Sequence, residues 1–221
     1  MAFLLVFIPV FAFADDVSNA SSVSDVSDVS SQAVGSDTSE PETEPVITSG
    51  NAIVVMSVET GQILLNTANG REVDPTCATK LMTAMLAFDM ANGLDNQVTV
   101  DAEALKNIGK KGDISAPMLG LRAGNTATVR QLLQATLISA ANDACNALAY
   151  SVSGGDIAGF VEKMNARATE IGCEHTYFTN TTGLYDGEAY TTVEDVAKIA
   201  AAFYRYNTLL DISSQPTYVI G

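Results

Sequence analysis

The sequence predicts an α/β protein in which a β-hairpin comes first and helices follow, and three observations carry that reading. Ala52-Ile53-Val54-Val55-Met56-Ser57-Val58 is rich in β-branched residues, meets the turn signal Glu59-Thr60-Gly61, and resumes as Gln62-Ile63-Leu64-Leu65. Beyond it, apolar residues recur at helical spacing, first as Leu81, Ala84, Met85 and Phe88. The 221 residues are 47% apolar, which is enough to bury one sizeable core.

In chain order, residues 3–13 are an apolar block, and small residues at Ala12 and Ala14 fit an Ala-x-Ala cleavage pattern. Residues 1–14 therefore read as a secretory signal peptide, too short for a good membrane span. No basic residue precedes the block, so either the signal is atypical or Met1 is not the true start. Residues 15–45 are Ser, Asp, Val, Glu, Thr and Pro, with the repeat Val23-Ser24-Asp25-Val26-Ser27-Asp28-Val29-Ser30. Such a stretch buries too little apolar surface to offset its ordering entropy, and it reads as a disordered acidic tether before a domain at 46–221. Over half of the net charge of −15 lies in the first fifty residues, which hold eight acids and no Lys or Arg. With nothing to neutralise phosphates, a nucleic-acid partner is excluded from the expectations.

After the hairpin a helix is expected over Cys77 to Ala91, closed by Asn92-Gly93. Thr128 opens another that runs to about Ser139, and a further one starts near Asn142. Asp156 caps the next, with Ile157, Phe160, Val161, Met164, Ala168 and Ile171 as its apolar stripe and Gly172 at its end. Thr191-x-x-Glu194 reads as a capping box for the last, with Val196, Ile199, Ala200 and Phe203 inward. Tyr218-Val219-Ile220-Gly221 reads as a strand barely begun.

The chemistry concentrates in Cys77-Ala78-Thr79-Lys80. A nucleophile and a lysine three residues apart share one helical face, so the amine could take the proton of the thiol. A thiol at a helix N-terminus beside an ammonium is also favoured as thiolate. Cys145 and Cys173 read as small core residues, and the three cysteines make an odd count, so at least one stays free or pairs between chains. The single histidine, His175, has no neighbouring ligand or nucleophile pattern, so no metal and no cofactor are expected.

The frame Pro75-x-Cys77-x-Thr79-Lys80-x-Met82-Thr83-Ala84 resembles the Ser-x-x-Lys motif of penicillin-recognising D-alanyl-D-alanine carboxypeptidases, with Cys77 where the family has its serine. The run Leu132 to Ala149 looks like the family's second motif, Ser-x-Asn, with Ala140 at the serine and Asn142 at the asparagine. Ser139 is one position too early, and one residue on a helix turns a side chain by roughly 100°. Phe160-Val161-x-x-Met164-Asn165-x-x-Ala168, Phe178-x-Asn180-x-x-Gly183-Leu184 and Tyr190-Thr191-Thr192-x-x-Asp195-Val196-Ala197 are similar to further signatures of the family. Its third motif, Lys-Thr-Gly, does not occur; Lys110-Lys111-Gly112 is in the wrong place, and the strand that should bear the motif would lie beyond Gly221.

The resemblance implies a β-lactamase/transpeptidase-like fold, an antiparallel sheet flanked by helices plus a helical subdomain, with the C-terminal strands missing from an incomplete chain. It also implies a hydrolase that acts outside the cytoplasm on the peptidoglycan stem peptide and reacts with β-lactams. Cys77 would be the nucleophile, Lys80 its base and Asn142 a further catalytic residue, while Ala140 would line the substrate site without the hydroxyl that relays the leaving-group proton. Three functions fit these residues: a slow thiol-dependent peptidase, an inactive relative that still binds peptidoglycan, and a surface scaffold whose acidic tether is the working part.

Overall fold

The computed structural model describes residues 3–8, 52–109 and 116–220. The acidic tether, the end of the apolar leader and Lys110-Lys111-Gly112 lie outside the described residues. Three strands form one antiparallel sheet in the order β1 (Phe3–Ile8), β2 (Ala52–Ser57), β3 (Ile63–Asn66). β1 runs against β2 from Phe3 opposite Ser57 to Ile8 opposite Ala52. The hairpin expected from the sequence is present: Gly61, at φ +71°, donates its N–H to the Ser57 carbonyl, and the register slips at Val55/Met56. Alternate residues Ala52, Val54 and Met56 point to one buried face.

β4 (Glu72–Val73) leads directly into α1 (Thr76–Met90). Two short strands, β5 (Gln97–Thr99) and β6 (Thr126–Thr128), pair antiparallel, with a 3-10 turn at Glu103–Leu105 between them. α2 (Val129–Ile138) starts from a capping box in which Thr128 accepts from the Gln131 N–H and the Gln131 side chain accepts from the Thr128 N–H. α3 (Asn142–Val152) follows after a three-residue turn, then α4 (Ile157–Glu170), whose N-cap Asp156 accepts from the Gly159 N–H as expected. β7 (Thr191–Thr192) pairs with β4 and runs straight into α5 (Val193–Phe203), and α6 (Asn207–Ser213) closes the order.

The helices share one core built from Met82 and Met85 of α1, Leu132 and Leu133 of α2, Leu148 of α3, Phe160 and Met164 of α4, and Ile199 of α5. A second, smaller core joins the inner face of β2 to Val193, Ala197 and Ala201 of α5. α5 thus has apolar contacts on two sides, which is why its first turn is buried as well as its stripe.

Two expectations shift in detail. The N-cap of α5 is Thr192, which accepts from the Asp195 N–H, and not Thr191. Glu194 is drawn elsewhere: one carboxylate oxygen accepts from Asn66 Nδ2 and from the Gly70 N–H, pinning the turn after β3. Residues 218–220 are not a strand. Tyr218 and Val219 lie along α2, with the Tyr218 hydroxyl 2.6 Å from Ser139 Oγ and Gln131 Nε2 donating to the Val219 carbonyl.

Candidate active site

Two helix starts and one loop make the site. α1 begins abruptly: Pro75 stands at its N-cap without a side-chain cap, Asp74 accepts from the Thr76 N–H, and Thr76 holds φ +25°. Pro supplies no N–H there and sets φ near the helical value, so the backbone turns into the helix within one residue. Cys77, the next residue, is exposed.

Lys80 lies one turn further on the same face and is half-buried. Its amine donates to the main-chain carbonyl of Thr182 at 2.5 Å, a residue 102 positions away. Burial pushes the Lys80 amine below the ordinary lysine range, while the sulfurs of Cys145 and then Cys77 pull it back up. A desolvated amine is more readily neutral, and a neutral amine carries the lone pair that a proton acceptor needs.

The loop that receives this lysine is a tightly bonded turn. Asn180 Oδ1 accepts from the Thr182 N–H, the Thr182 hydroxyl and the Gly183 N–H, and Asn180 Nδ2 donates to the Leu184 carbonyl. Gly183 has φ +74°, and a Cβ on it would sit 2.2 Å from the Thr76 carbonyl oxygen. The loop therefore lies directly on the residue that precedes Cys77. One residue earlier, the Thr181 carbonyl accepts from Thr83 Oγ1 of α1 at 2.8 Å and from Cys145 Sγ of α3 at 3.0 Å. Thr181 Oγ1 donates to Asn146 of α3. Cys145 is fully buried, and burial pushes its thiol up to about 11 against the opposing charge of Lys80.

The sequence-derived site residues are brought together in part. Cys77 and Lys80 share the head of α1. Asn142 is the first residue of α3 and is buried; its Nδ2 donates to the Ile108 carbonyl at 3.1 Å, and its Oδ1 has no partner among the described residues. Ala140 sits in the turn between α2 and α3 at φ +52°, a left-handed conformation uncommon for a residue with a Cβ. The Ser139 hydroxyl is engaged with Tyr218, so it does not stand in for the hydroxyl that Ala140 lacks. Sequence reasoning missed the part played by Cys145, Thr83 and the 180–184 loop. The signal for the loop was an Asn three residues before a Gly, the pattern of a side-chain-bonded turn ending in a left-handed residue.

A groove of about 920 Å³ opens on the other side of this loop, lined among others by Lys106, Asn146, Tyr150, Thr182 and Tyr185. Cys77 and Lys80 do not line it, whereas Thr182, whose carbonyl receives the Lys80 amine, does. No group of three or more His, Cys, Asp or Glu that could hold a metal ion occurs among the described residues.

Known proteins resemble this chain over most of its length. Over 156 residues the chain is 29% identical to D-alanyl-D-alanine carboxypeptidase DacF of Bacillus subtilis, covering 71% of this chain and 39% of the relative. It is 29% identical to D-alanyl-D-alanine carboxypeptidase DacB2 of Mycobacterium tuberculosis, covering 74% of this chain and 54% of the relative. Among solved structures, penicillin binding protein 6B of Escherichia coli superposes with a TM-score of 0.71 at 26% identity, covering 80% of this chain and 56% of that one. The chain thus spans 39% to 56% of the length of these relatives, and its fold is the penicillin-binding, DD-peptidase one. The family model described as D-alanyl-D-alanine carboxypeptidase matches residues 38–218, most of the sequence, and this chain belongs to that family.

Proposed function

We propose that the protein is a peptidoglycan D-alanyl-D-alanine carboxypeptidase that uses a thiol in place of the usual hydroxyl. The observation that carries the reading is the half-buried Lys80 amine one turn from the exposed Cys77, held by a loop that packs on the same helix start. In this reading the Cys77 proton passes to Lys80, and the sulfur attacks the carbonyl of the penultimate D-alanine of a stem peptide. A thioester forms, D-alanine leaves as its nitrogen takes a proton, and water then releases the shortened peptide. The same sulfur would open a β-lactam ring. Asn142 is proposed to act at the second helix start and Ala140 to line the substrate site.

Export follows from the same reading, with residues 1–14 as the signal and 15–45 as a spacer. No helix among the described residues is long and apolar enough to cross a membrane.

A specific observation favours a second reading, a relative that binds the stem peptide without cleaving it. Ala140 lacks a hydroxyl, Ser139 is engaged elsewhere, and Asn142 points its amide nitrogen at Ile108. The test is D-alanine release and acylation by a labelled penicillin, measured on the longest product the gene encodes. The peptidase reading expects both signals, their loss in Cys77→Ala, and a larger gain in the pair Cys77→Ser, Ala140→Ser than in either single change, because such groups act as a unit. Stem-peptide binding without release or acylation would replace the first reading by the second, and absence of binding would overturn both.

A further inference from the structure

The Lys80 amine meets one peptide unit, the one that joins Thr182 to Gly183. Its carbonyl accepts from Lys80 Nζ at 2.5 Å, and its N–H donates to Asn180 Oδ1 at 2.8 Å. In a trans peptide those two groups point in opposite directions, so a hydrogen bond at one end fixes where the other end aims. It also polarises the unit, which strengthens the bond at the far end. Asn180 braces the unit further through the Thr182 N–H and hydroxyl at 3.1 Å each, and through Nδ2 to the Leu184 carbonyl at 2.8 Å. Gly183 supplies the left-handed φ that this turn requires, with Thr76 directly against it.

We propose that Asn180 is a positioning residue for Lys80, acting through the Thr182–Gly183 peptide unit. Asn180 neither touches Lys80 nor lies near Cys77 in sequence. With its side chain in place, one N–H of the amine is committed to the Thr182 carbonyl, which leaves the other two for the sulfurs that face the amine. Without it, the peptide unit turns freely and the amine loses its fixed acceptor. The titratable groups that face the amine are Cys77 from its own helix and Cys145 from α3, and both remain in the variants below. The proposal rests on the reading of Lys80 as the proton acceptor of Cys77.

The test is the rate of Cys77 alkylation by iodoacetamide as a function of pH in the full chain, read by mass spectrometry. Lys80→Met is expected to move the rise in rate to higher pH. Asn180→Ala should move it in the same direction and slow alkylation at neutral pH about fivefold, the factor that the net worth of one hydrogen bond sets. The double variant should be no slower than Lys80→Met alone, and Asn180→Asp, which keeps an acceptor on the Gly183 N–H, should stay closer to the wild type than Asn180→Ala. A shift in Lys80→Met without one in Asn180→Ala, or effects that add in the double variant, would overturn the positioning role alone. No shift in Lys80→Met would overturn the proton-acceptor reading and this inference with it. Should Asn180→Ala fail to fold, as judged by circular dichroism, Asn180→Ser carries the same comparison, because its single oxygen sits on a shorter arm.

Discussion

Replacing Gly183 by Ala tests whether the loop is fixed on α1 by direct backbone contact. The new Cβ would stand 2.2 Å from the Thr76 carbonyl oxygen and 2.9 Å from its carbon, both main-chain atoms that cannot rotate away. Alanine at φ +74° costs about 1–2 kcal/mol in backbone strain. Opening the contact by roughly 1 Å moves the loop as a body and adds about 1–3 kcal/mol. Gly172, at φ +84° with nothing within 4 Å of its Cβ position, is the control that carries the backbone strain alone. For a chain of this size each kcal/mol lowers Tm by about 2–4 °C, so Gly183→Ala should fall by about 10 °C and Gly172→Ala by about 4 °C. Thermal unfolding followed by circular dichroism reads both. Equal shifts in the two variants would show that the loop gives way freely at Thr76, and the packing argument for Lys80 would lose its support.

Two further outcomes follow from buried titratable groups. In the folded chain at about pH 8, an alkylating reagent should modify Cys77 and spare the other two cysteines, whereas denaturant should expose all three. Burial pushes Cys145 up to about 11, and burial with the Asp195 charge pushes Cys173 up to about 12; equal labelling of the three in the native state would refute this. Asp195 is buried and accepts from Lys198 Nζ, the His175 N–H and the Thr176 hydroxyl. Burial works to raise its pKa, but these bonds outweigh it and hold the carboxyl below its ordinary value. The stability it contributes is therefore complete above about pH 4 and lost as pH falls through the lower folded value. Asp195→Asn should cost about 2 kcal/mol at pH 7 in urea unfolding, and the gap should narrow below pH 4; a gap independent of pH would refute the assignment.

What was legible in the sequence was local. The hairpin came from a β-branched run before Gly61 and an apolar one after it, and α4 from an Asp156 cap and a stripe that does place Phe160, Met164 and Ala168 in the core. The cap of α5 was misplaced by one residue because two threonines stand side by side, and the choice is made by distant partners: the Thr191 hydroxyl is engaged with the Thr176 hydroxyl, and Glu194 with Asn66 and Gly70. Strands of two or three residues such as β4 and β5 have no periodicity to read, and their partners alone define them. Cys77 and Lys80 were legible because a helix places residues three apart on one face. The acceptor of Lys80 lies 102 residues away and is a main-chain carbonyl, which no side-chain pattern marks. The burial of the Asn142 amide against Ile108 was hidden for the same reason.

The strand β1 lies within the segment proposed as an export signal, and the two uses conflict. Its six residues fill one edge of β2, from Phe3 opposite Ser57 to Ile8 opposite Ala52. A segment removed after Ala14 cannot remain in the sheet, so processing would strip β2 of the neighbour on that side and leave its outward N–H and C=O groups facing solvent. An exposed edge of that length is a template for any strand that arrives, from later in the same polypeptide or from another molecule. The moment of cleavage relative to folding would then decide which strand occupies the place.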